Sequence, residues 1–385
     1  MRKLAEQEIE RVVSLLREGK PLPEDYKTIL FDTKKEYELI YAGKEREEDI
    51  LADTMAVPLQ PVKTFRNGED GHGWTNMLIF GDNLQVLKTL LQMKEKGKLK
   101  NADGTPGVRL VYIDPPFATR QEFRGSQDQK AYQDKIAGAR FLEFLRKRLV
   151  FLRELLSDDG SIYVHLDWHI GHYVKILMDE VFGEDNLINE IIWAYHGPGS
   201  PDMKQFNRKH DTIFWYSLNE NWIFNEDKIR VQYKDPNQKP RNAFDSGDGW
   251  DEEDVLKMRE KGKIPEDWWE IAVAARKKID GNNRVDYATE KPTELLERII
   301  KASSNEGMLV ADFFGGSGVT AKVANDLGRN FIHVDVGINS IQTTRDRLIA
   351  AGAEFDILDV KDGVSLFRNP VQTMDKLKSL ITGLC

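Results

Sequence analysis

Only 73 residues follow Asp312 in this chain of 385, and that count constrains the fold more than any other feature. The segment MLVADFFGGSGVTAKVANDLGRNFIHVDV (308–336) reads as a strand over 309–313 and a glycine-rich turn at Gly315, Gly316, Ser317 and Gly318. A helix follows from about Val319, then a second strand over 330–334 that ends at Asp335. The run 316–321 fits G-x-G-x-x-A, with an acid nineteen residues after Gly316. Glycines let the backbone come close to a ligand at a strand-to-helix turn. An acid at the tip of the next strand can take both hydroxyls of a ribose, so the pattern points to a nucleoside cofactor. A unit of this kind normally opens its domain. Here too little chain remains to complete a doubly wound sheet, so the other strands must come from earlier and the order is circularly permuted.

The earlier chain supplies them. MLIFGDNLQVLKTLLQM (77–93) gives an apolar run, a Gly-Asp turn and an amphipathic helix. RLVYID (109–114), SIYVHLD (161–167), NEIIWAY (189–195) and DTIFWYSL (211–218) read as strands, and 141–156 and 172–182 as helices. In ATEKPTELLERIIKAS, Leu295, Leu296, Ile299 and Ile300 form one apolar stripe, with Pro292 near the helix start. This alternation predicts an α/β layer structure with a mainly parallel sheet. Between about 197 and 285 Gly, Pro, Asn, Asp and Trp become common and the alternation fades, which marks an insert. The expected division is a helical and loop extension (1–75), a first catalytic part (76–196), the insert (197–285), a second catalytic part (286–365) and a tail (366–385).

The second chemical signal is Asp114-Pro115-Pro116-Phe117, at the end of the strand RLVYID. Two prolines stiffen the loop, leaving the Asp114 carboxylate and the Pro115 carbonyl as fixed acceptors beside an aromatic ring. The lone pair of an exocyclic base amine is delocalised into the ring, so such an amine is a poor nucleophile. Two acceptors gripping its hydrogens favour a pyramidal nitrogen, aim its lone pair and stabilise the positive charge that develops. Phe117 offers a face for stacking a flipped base. Taken alone, Asp114 could equally cap a helix. Beside the glycine turn the chemical reading gains, because ligands in open α/β sheets collect at the carboxyl ends of strands.

At this point the chain resembles the β-group of DNA amino-methyltransferases, in which the catalytic motif precedes the cofactor motif. DPPF (114–117) and DFFGGSG (312–318) carry the resemblance, together with FGDNLQVL (80–87), GSIYVHLD (160–167), KHDTIFWYS (209–217) and 287–318. Residues 34–60 are similar to the amino-terminal part of type III restriction-system modification subunits, and the likeness runs from about 34 to 350. It implies a Rossmann-like methyltransferase with a mostly parallel, seven-stranded-type sheet, S-adenosylmethionine as cofactor, and methylation of N6 of a flipped adenine in DNA. Asp312, Phe313, Gly315, Gly316 and Gly318 would line the methionine and ribose part of the cofactor, and Asp335 would take the ribose hydroxyls. Asp82 would approach the adenine end, with a helix cap as its alternative. Lys291 and Thr293 would close the pocket, with a plain helix start as theirs. The chain departs from the family at Phe117, where tyrosine is commoner, and at GGSG, where AGSG or CGSG is usual. It is also shorter than type III modification subunits, so a solitary or type II enzyme fits its length as well.

The insert is the expected target-recognition region. It offers Lys204, Arg208, Lys209, Arg241, Arg276, Lys277 and Lys278 to phosphates or base edges, while Arg120 and Arg124 follow the catalytic loop. Trp250, Trp268 and Trp269 read as its small core, with wedging or stacking against DNA as the alternative. The net charge of −9 requires positive charge to be gathered on one face. The triplet Arg146, Lys147 and Arg148 reads as a solvated helix face. His165, His169 and His172 lack a matching carboxylate or cysteine, so no metal is expected. The one cysteine, Cys385, forbids an intrachain disulfide and suits a reducing cytoplasm; no apolar run approaches a membrane span. Double-stranded DNA is the expected partner, with room for a restriction subunit and a homodimer. The alternatives are N4-cytosine methylation, an NAD-linked oxidoreductase and a non-catalytic DNA-binding subunit. Asp114 speaks against the first, since the cytosine group usually opens its motif with Ser. An oxidoreductase has no use for Asp-Pro-Pro-Phe, and a binding subunit needs no acid at 114 or 335.

Overall fold

The computed structural model describes residues 6–20, 37–66, 74–116, 138–197, 204–234, 252–274 and 290–360. The chain divides into two units, Met1–Tyr41 and Ala42–Cys385. In the first, helix α1 spans Glu6–Arg17. The second runs α2 (Glu47–Asp53), β1 (Leu59–Phe65), β2 (Asn76–Phe80), α3 (Asn83–Glu95), β3 (Val108–Ile113), α4 (Ala139–Leu155), β4 (Leu156–Leu166) and α5 (Gly171–Phe182). It continues with β5 (Leu187–Ala194), β6 (His210–Ser217), α6 (Glu252–Lys261), β7 (Trp268–Glu270), α7 (Thr293–Ser303), β8 (Leu309–Asp312), α8 (Val319–Asp326), β9 (Asn330–Asp335), α9 (Ile338–Ala350) and β10 (Phe355–Val360).

Among the described residues ten strands make one sheet, in the order β1-β10-β2-β9-β8-β3-β4-β6-β5-β7. Every pairing from β10 across to β4 is parallel. β1 closes one edge antiparallel to β10, β6 runs antiparallel to both β4 and β5, and β7 lies parallel to β5. The mostly parallel α/β sheet expected from the sequence is therefore present, with ten strands where a seven-stranded type was expected. The strands beyond seven lie at the edges. β1 carries Pro61, tolerable because an edge strand has unpaired groups to spare, and its register shifts between Pro61 and Lys63. The three residues of β7 come from the later part of the 197–285 segment and pair with β5. Strands β3 and β8 are buried along their whole length, as parallel strands covered on both faces must be, and this explains their unbroken apolar character.

The amino ends of the central strands are fixed by one buried side chain. Asn101 Nδ2 donates to the Gly107 carbonyl and to Ser157 Oγ, both at 3.1 Å, while its Oδ1 accepts from the Leu309 N–H at 2.8 Å. It thereby joins the approach to β3, the start of β4 and the first residue of β8. Buried Arg109 on β3 is neutralised by Asp159 and by Asp103 at 2.8 Å. With that edge locked, the carboxyl ends of β3 and β8 stand in a defined register. The α7 stripe of Leu295, Leu296, Ile299 and Ile300 is fully buried. Among the described residues no helix is long and apolar enough to cross a membrane.

Candidate functional site

β3 and β8 are parallel neighbours, with Leu110 opposite Val310 and Val111 opposite Ala311. Asp312 ends β8 and Asp114 lies one residue past β3, so both acids emerge side by side at the carboxyl edge. From β8 the chain turns through α8 to β9 on one side; from β3 it returns through α4 to β4 on the other. The two corners thus flank the point where strand order reverses, the usual place for a ligand crevice.

The glycine turn is shaped for close approach. Gly316 and Gly318 adopt φ of 52° and 77°, and a Cβ at Gly318 would fall on the Thr344 side chain. Asp335 is held by two backbone donors, Gly316 N–H at 2.9 Å and Gly337 N–H at 2.7 Å. Asp312 accepts from the Phe314 N–H at 3.0 Å and from Thr320 Oγ1 at 2.7 Å. Burial pushes the Asp312 carboxyl up to about 7, opposed by those hydrogen bonds and reinforced by the charges of Asp114 and Asp335. The Phe313 ring is only 1% exposed, turned into the core, and Phe314 is the half-open ring of the pair.

Gly315 explains the departure from the usual AGSG or CGSG. A Cβ there would fall on the ring of His333, which is fully buried on β9. Burial, with the charge of Arg347 added, holds His333 down at about 3, so it is neutral at ordinary pH. The histidine thus fills the space that a side chain at 315 would need. Gly315→Ala is expected to weaken cofactor binding about tenfold, near the low end for overpacking. Gly315→Ala combined with His333→Ala should return within about threefold of the native affinity. Titration calorimetry decides the matter, and native affinity in the single variant would refute the coupling.

Asp114 has two unlike oxygens. Oδ2 pairs with Lys291 Nζ at 2.9 Å, whereas Oδ1 is buried and without a hydrogen-bond partner among the described residues. Lys291, expected at the cofactor, is paired with Asp114, and its ammonium also lies 5.8 Å from the Trp193 ring centre. Pro115 is buried and Pro116 exposed. Thr293 is half-buried at the first position of α7. Asp82 caps α3, its Oδ1 accepting from the Leu84 N–H at 2.8 Å, and Arg148 approaches Oδ2 to 3.3 Å. The corner sits at the same edge, since the Gly81 N–H bonds the Asp335 carbonyl at 3.0 Å. Its neighbour Asn83 is a brace that the sequence does not announce: Nδ2 donates to the Phe313 carbonyl at 2.7 Å, and Oδ1 accepts from Arg148 Nε. The only sequence signal was its place in FGDN. Arg148 and Arg146 are buried rather than solvated, because Arg146 reaches the Glu45 carbonyl and Arg148 stacks on Phe144 at 3.5 Å.

On the side of Asp114 away from the glycine turn lies a buried polar chain. The Tyr112 hydroxyl meets His165 Nδ1 at 2.8 Å, His165 Nε2 meets Asp211 Oδ2 at 3.1 Å, and the Tyr195 hydroxyl donates to Asp211 Oδ1 at 3.4 Å. Burial lowers the His165 pKa and Lys291 adds to it. For Asp211 burial acts upward, but the His165 hydrogen bond and the Lys291 charge bring its pKa below the ordinary value. His165 is thus spoken for, and no cluster of three or more His, Cys, Asp or Glu suited to a metal occurs among the described residues.

Lys204, Arg208 and Lys209 lie in the segment leading into β6 at this edge, with the Arg208 guanidinium 3.7 Å over the Trp168 ring. Trp269 is buried and its indole bonds the Glu266 carbonyl, whereas Trp268 is exposed beside Lys234. Phe117, Arg120, Arg124, Arg241, Trp250, Arg276, Lys277 and Lys278 lie outside the described residues.

A family model described as DNA methylase, N6_N4_Mtase, matches residues 108–346. Type II methyltransferase M.EcaI of Enterobacter cloacae is 28% identical over 362 residues, covering 80% of this chain and 77% of the relative. DNA adenine methyltransferase YhdJ of Escherichia coli K12 is 25% identical over 265 residues, covering 69% and 83%. Type III modification subunits match over less of their own length, 24% for the HindVI subunit of Haemophilus influenzae. The solved PvuII DNA methyltransferase, described as cytosine-N4-specific, superposes with a TM-score of 0.50 at 16% identity, covering 76% of this chain and 89% of that one; at that identity the likeness concerns the fold.

Proposed function

Because this chain belongs to the N6_N4_Mtase family of DNA methylases, we propose that it moves a methyl group from S-adenosylmethionine to N6 of an adenine turned out of double-stranded DNA. The observation that supports this reading is the pairing of β3 with β8, which brings Asp114 and the glycine turn to the same edge of the sheet, with Asp114 Oδ1 left without a hydrogen-bond partner among the described residues. The turn fits the cofactor. Side chains are absent where a Cβ would clash, at Gly315 and Gly318, and Asp312 and Asp335 stand as acids on either side of the turn. Asp312, Gly315, Gly316, Gly318 and Asp335 would hold it, with Phe313 lending its carbonyl-braced backbone and Asp82 and Thr293 at the margins.

The cofactor supplies an electrophilic methyl on a positively charged sulfur, which leaves as the neutral thioether S-adenosylhomocysteine. Everything else is work for the chain's own residues. Asp114 Oδ1 accepts one amine hydrogen of the adenine and the Pro115 carbonyl the other, so the nitrogen lone pair is turned out of conjugation toward the methyl. As the C–N bond forms, nitrogen gains positive charge, which the Asp114 carboxylate stabilises; the surplus proton then leaves through that acceptor. Lys291, on Oδ2, keeps the carboxylate from rotating, and Phe117 stacks on the base. Arg120, Arg124, Lys204, Arg208, Lys209, Arg276 and Lys277 hold the phosphates, with 197–285 as the target-recognition region.

Adenine is preferred over cytosine because the motif opens with Asp114, and because the relative YhdJ is named a DNA adenine methyltransferase. The setting is the cytoplasm, with DNA as partner. The type III relatives support a restriction subunit as a further partner; a homodimer rests on the family resemblance alone. Expressing the chain in a methylation-deficient bacterial host and reading its DNA for modified bases tests the proposal. N6-methyladenine at one recurrent sequence is expected; unmodified DNA would refute it.

Asp312 gives a pH signature. A cationic ligand favours the ionised acid, so binding lowers its pKa and releases a proton. Affinity for S-adenosylmethionine should therefore rise as pH increases from 6 to 8, levelling off once Asp312 is ionised above its value of about 7. Neutral-sulfur S-adenosylhomocysteine should show little of this rise, and Asp312→Asn should flatten it. Parallel slopes for the two ligands would show that Asp312 does not sense the sulfonium.

A further inference from the structure

Phe206 is 97% exposed, the most exposed of the large apolar side chains among the described residues. A phenylalanine left in water forgoes the gain of burial, and proteins that bind unpaired nucleic acid combine aromatic side chains for stacking with positive charge for the backbone. Its neighbours fit one partner. Residues 204–210 read KQFNRKH, with Lys204, Arg208 and Lys209 and no acid, in a chain whose net charge is −9. Two residues past the last paired position of β4, Trp168 is 41% exposed, with the Arg208 guanidinium 3.7 Å over its ring and the His169 ring centre also at 3.7 Å. Stacking fixes the plane of the guanidinium; Nη2 donates to Gln205 Oε1 at 3.4 Å, and the remaining N–H groups are left to meet phosphate oxygens.

The sheet places this group relative to the chemistry. Ile113 pairs with Val164, and Leu166 with Thr212, so the segment entering β6 and the turn after β4 emerge at the same edge as Asp114. β6 lies two strands from β3, about 10 Å at ordinary strand spacing. The glycine turns of β8 and β9 occupy the opposite side of Asp114. A base reaching Asp114 must enter from a side the cofactor loops leave open, and the segment that carries Phe206 enters β6 on that side.

We propose that Phe206 is the wedge that fills the gap left in the DNA stack when the target adenine turns out, with the Trp168–Arg208 stack anchoring the flanking backbone. This rests on the methylation reading above. An apolar wedge acts by replacing the stacking that the extruded base gives up, so its value depends on whether that base was stacked and paired to begin with.

The test uses two duplexes carrying the recurrent sequence: one fully paired, one with an abasic site opposite the target adenine. Phe206→Ala should lower kcat/KM on the paired duplex about thirtyfold, the scale of one lost base–aromatic stack, and by less than about threefold on the abasic duplex. Phe206→Trp should retain activity on both. Because the side chain is almost wholly exposed, cofactor affinity and melting temperature should not change. Equal losses on the two duplexes, or no loss on either, would overturn the wedge while leaving methylation standing. If the unaltered protein transfers no methyl to either duplex, the methylation reading falls and the wedge with it.

Discussion

Asp114→Ala is expected to lower kcat for methyl transfer by about a thousandfold, with cofactor affinity changed by less than about threefold. The size follows from what the side chain does. An exocyclic amine becomes nucleophilic only while its hydrogens are held, and the charge it acquires must be met in a crevice where water is scarce. Removing Oδ1 removes one of the two holders and the counter-charge together. Asp114→Asn is the sharper variant. It keeps the shape and an acceptor oxygen but loses the charge, so a loss of about a hundredfold is expected. Single-turnover rates measured at saturating DNA separate this from weakened binding. Either variant turning over at the native rate would show that the amine is held elsewhere.

Gly318→Val is expected to reduce S-adenosylmethionine affinity by more than about a hundredfold. Two penalties coincide there. The residue holds φ of 77°, a conformation that a β-branched side chain adopts only at a cost of about 1–3 kcal/mol. Its Cβ would also collide with Thr344 on α9, so the turn must move away from Asp335, whose carboxylate is bonded to the Gly316 N–H. Gly318→Ala carries the same two strains in milder form and should lose about tenfold. Calorimetry on both variants, each checked for a native melting transition, reads the series. Native affinity in folded Gly318→Val would mean that the turn does not hold the cofactor.

The central part of the site was legible because its signals are local. A glycine turn between two strands and an acid at a strand tip are written in consecutive residues, and the apolar runs near 77–80, 109–114 and 161–167 that supply further strands are equally local. What the sequence hid depends on contacts between distant residues. Nothing near Lys291 announces that it will meet Asp114, 177 positions away, because α7 and β3 come together only across the sheet. Arg146 and Arg148 looked like a solvated face. They are buried because residues 45–47 and the FGDN turn fold over α4 and supply their partners. The substitution at Gly315 looked small until His333, eighteen residues on, was seen to occupy the same space. β1 escaped notice for a different reason: an edge strand broken by Pro61 shows little of the alternation that betrays a strand. The place of His165 was equally hidden, because its two hydrogen-bond partners, Tyr112 and Asp211, lie on other strands.

The most direct measurement follows the methyl group itself. Purified protein is incubated with S-adenosylmethionine tritiated in its methyl group and with duplex DNA, the DNA is digested, and the labelled nucleoside is identified. Label is expected in N6-methyldeoxyadenosine, and to vanish with Asp114→Ala. Label in N4-methyldeoxycytidine would contradict the choice of base, and DNA that stays unlabelled would contradict the transfer altogether.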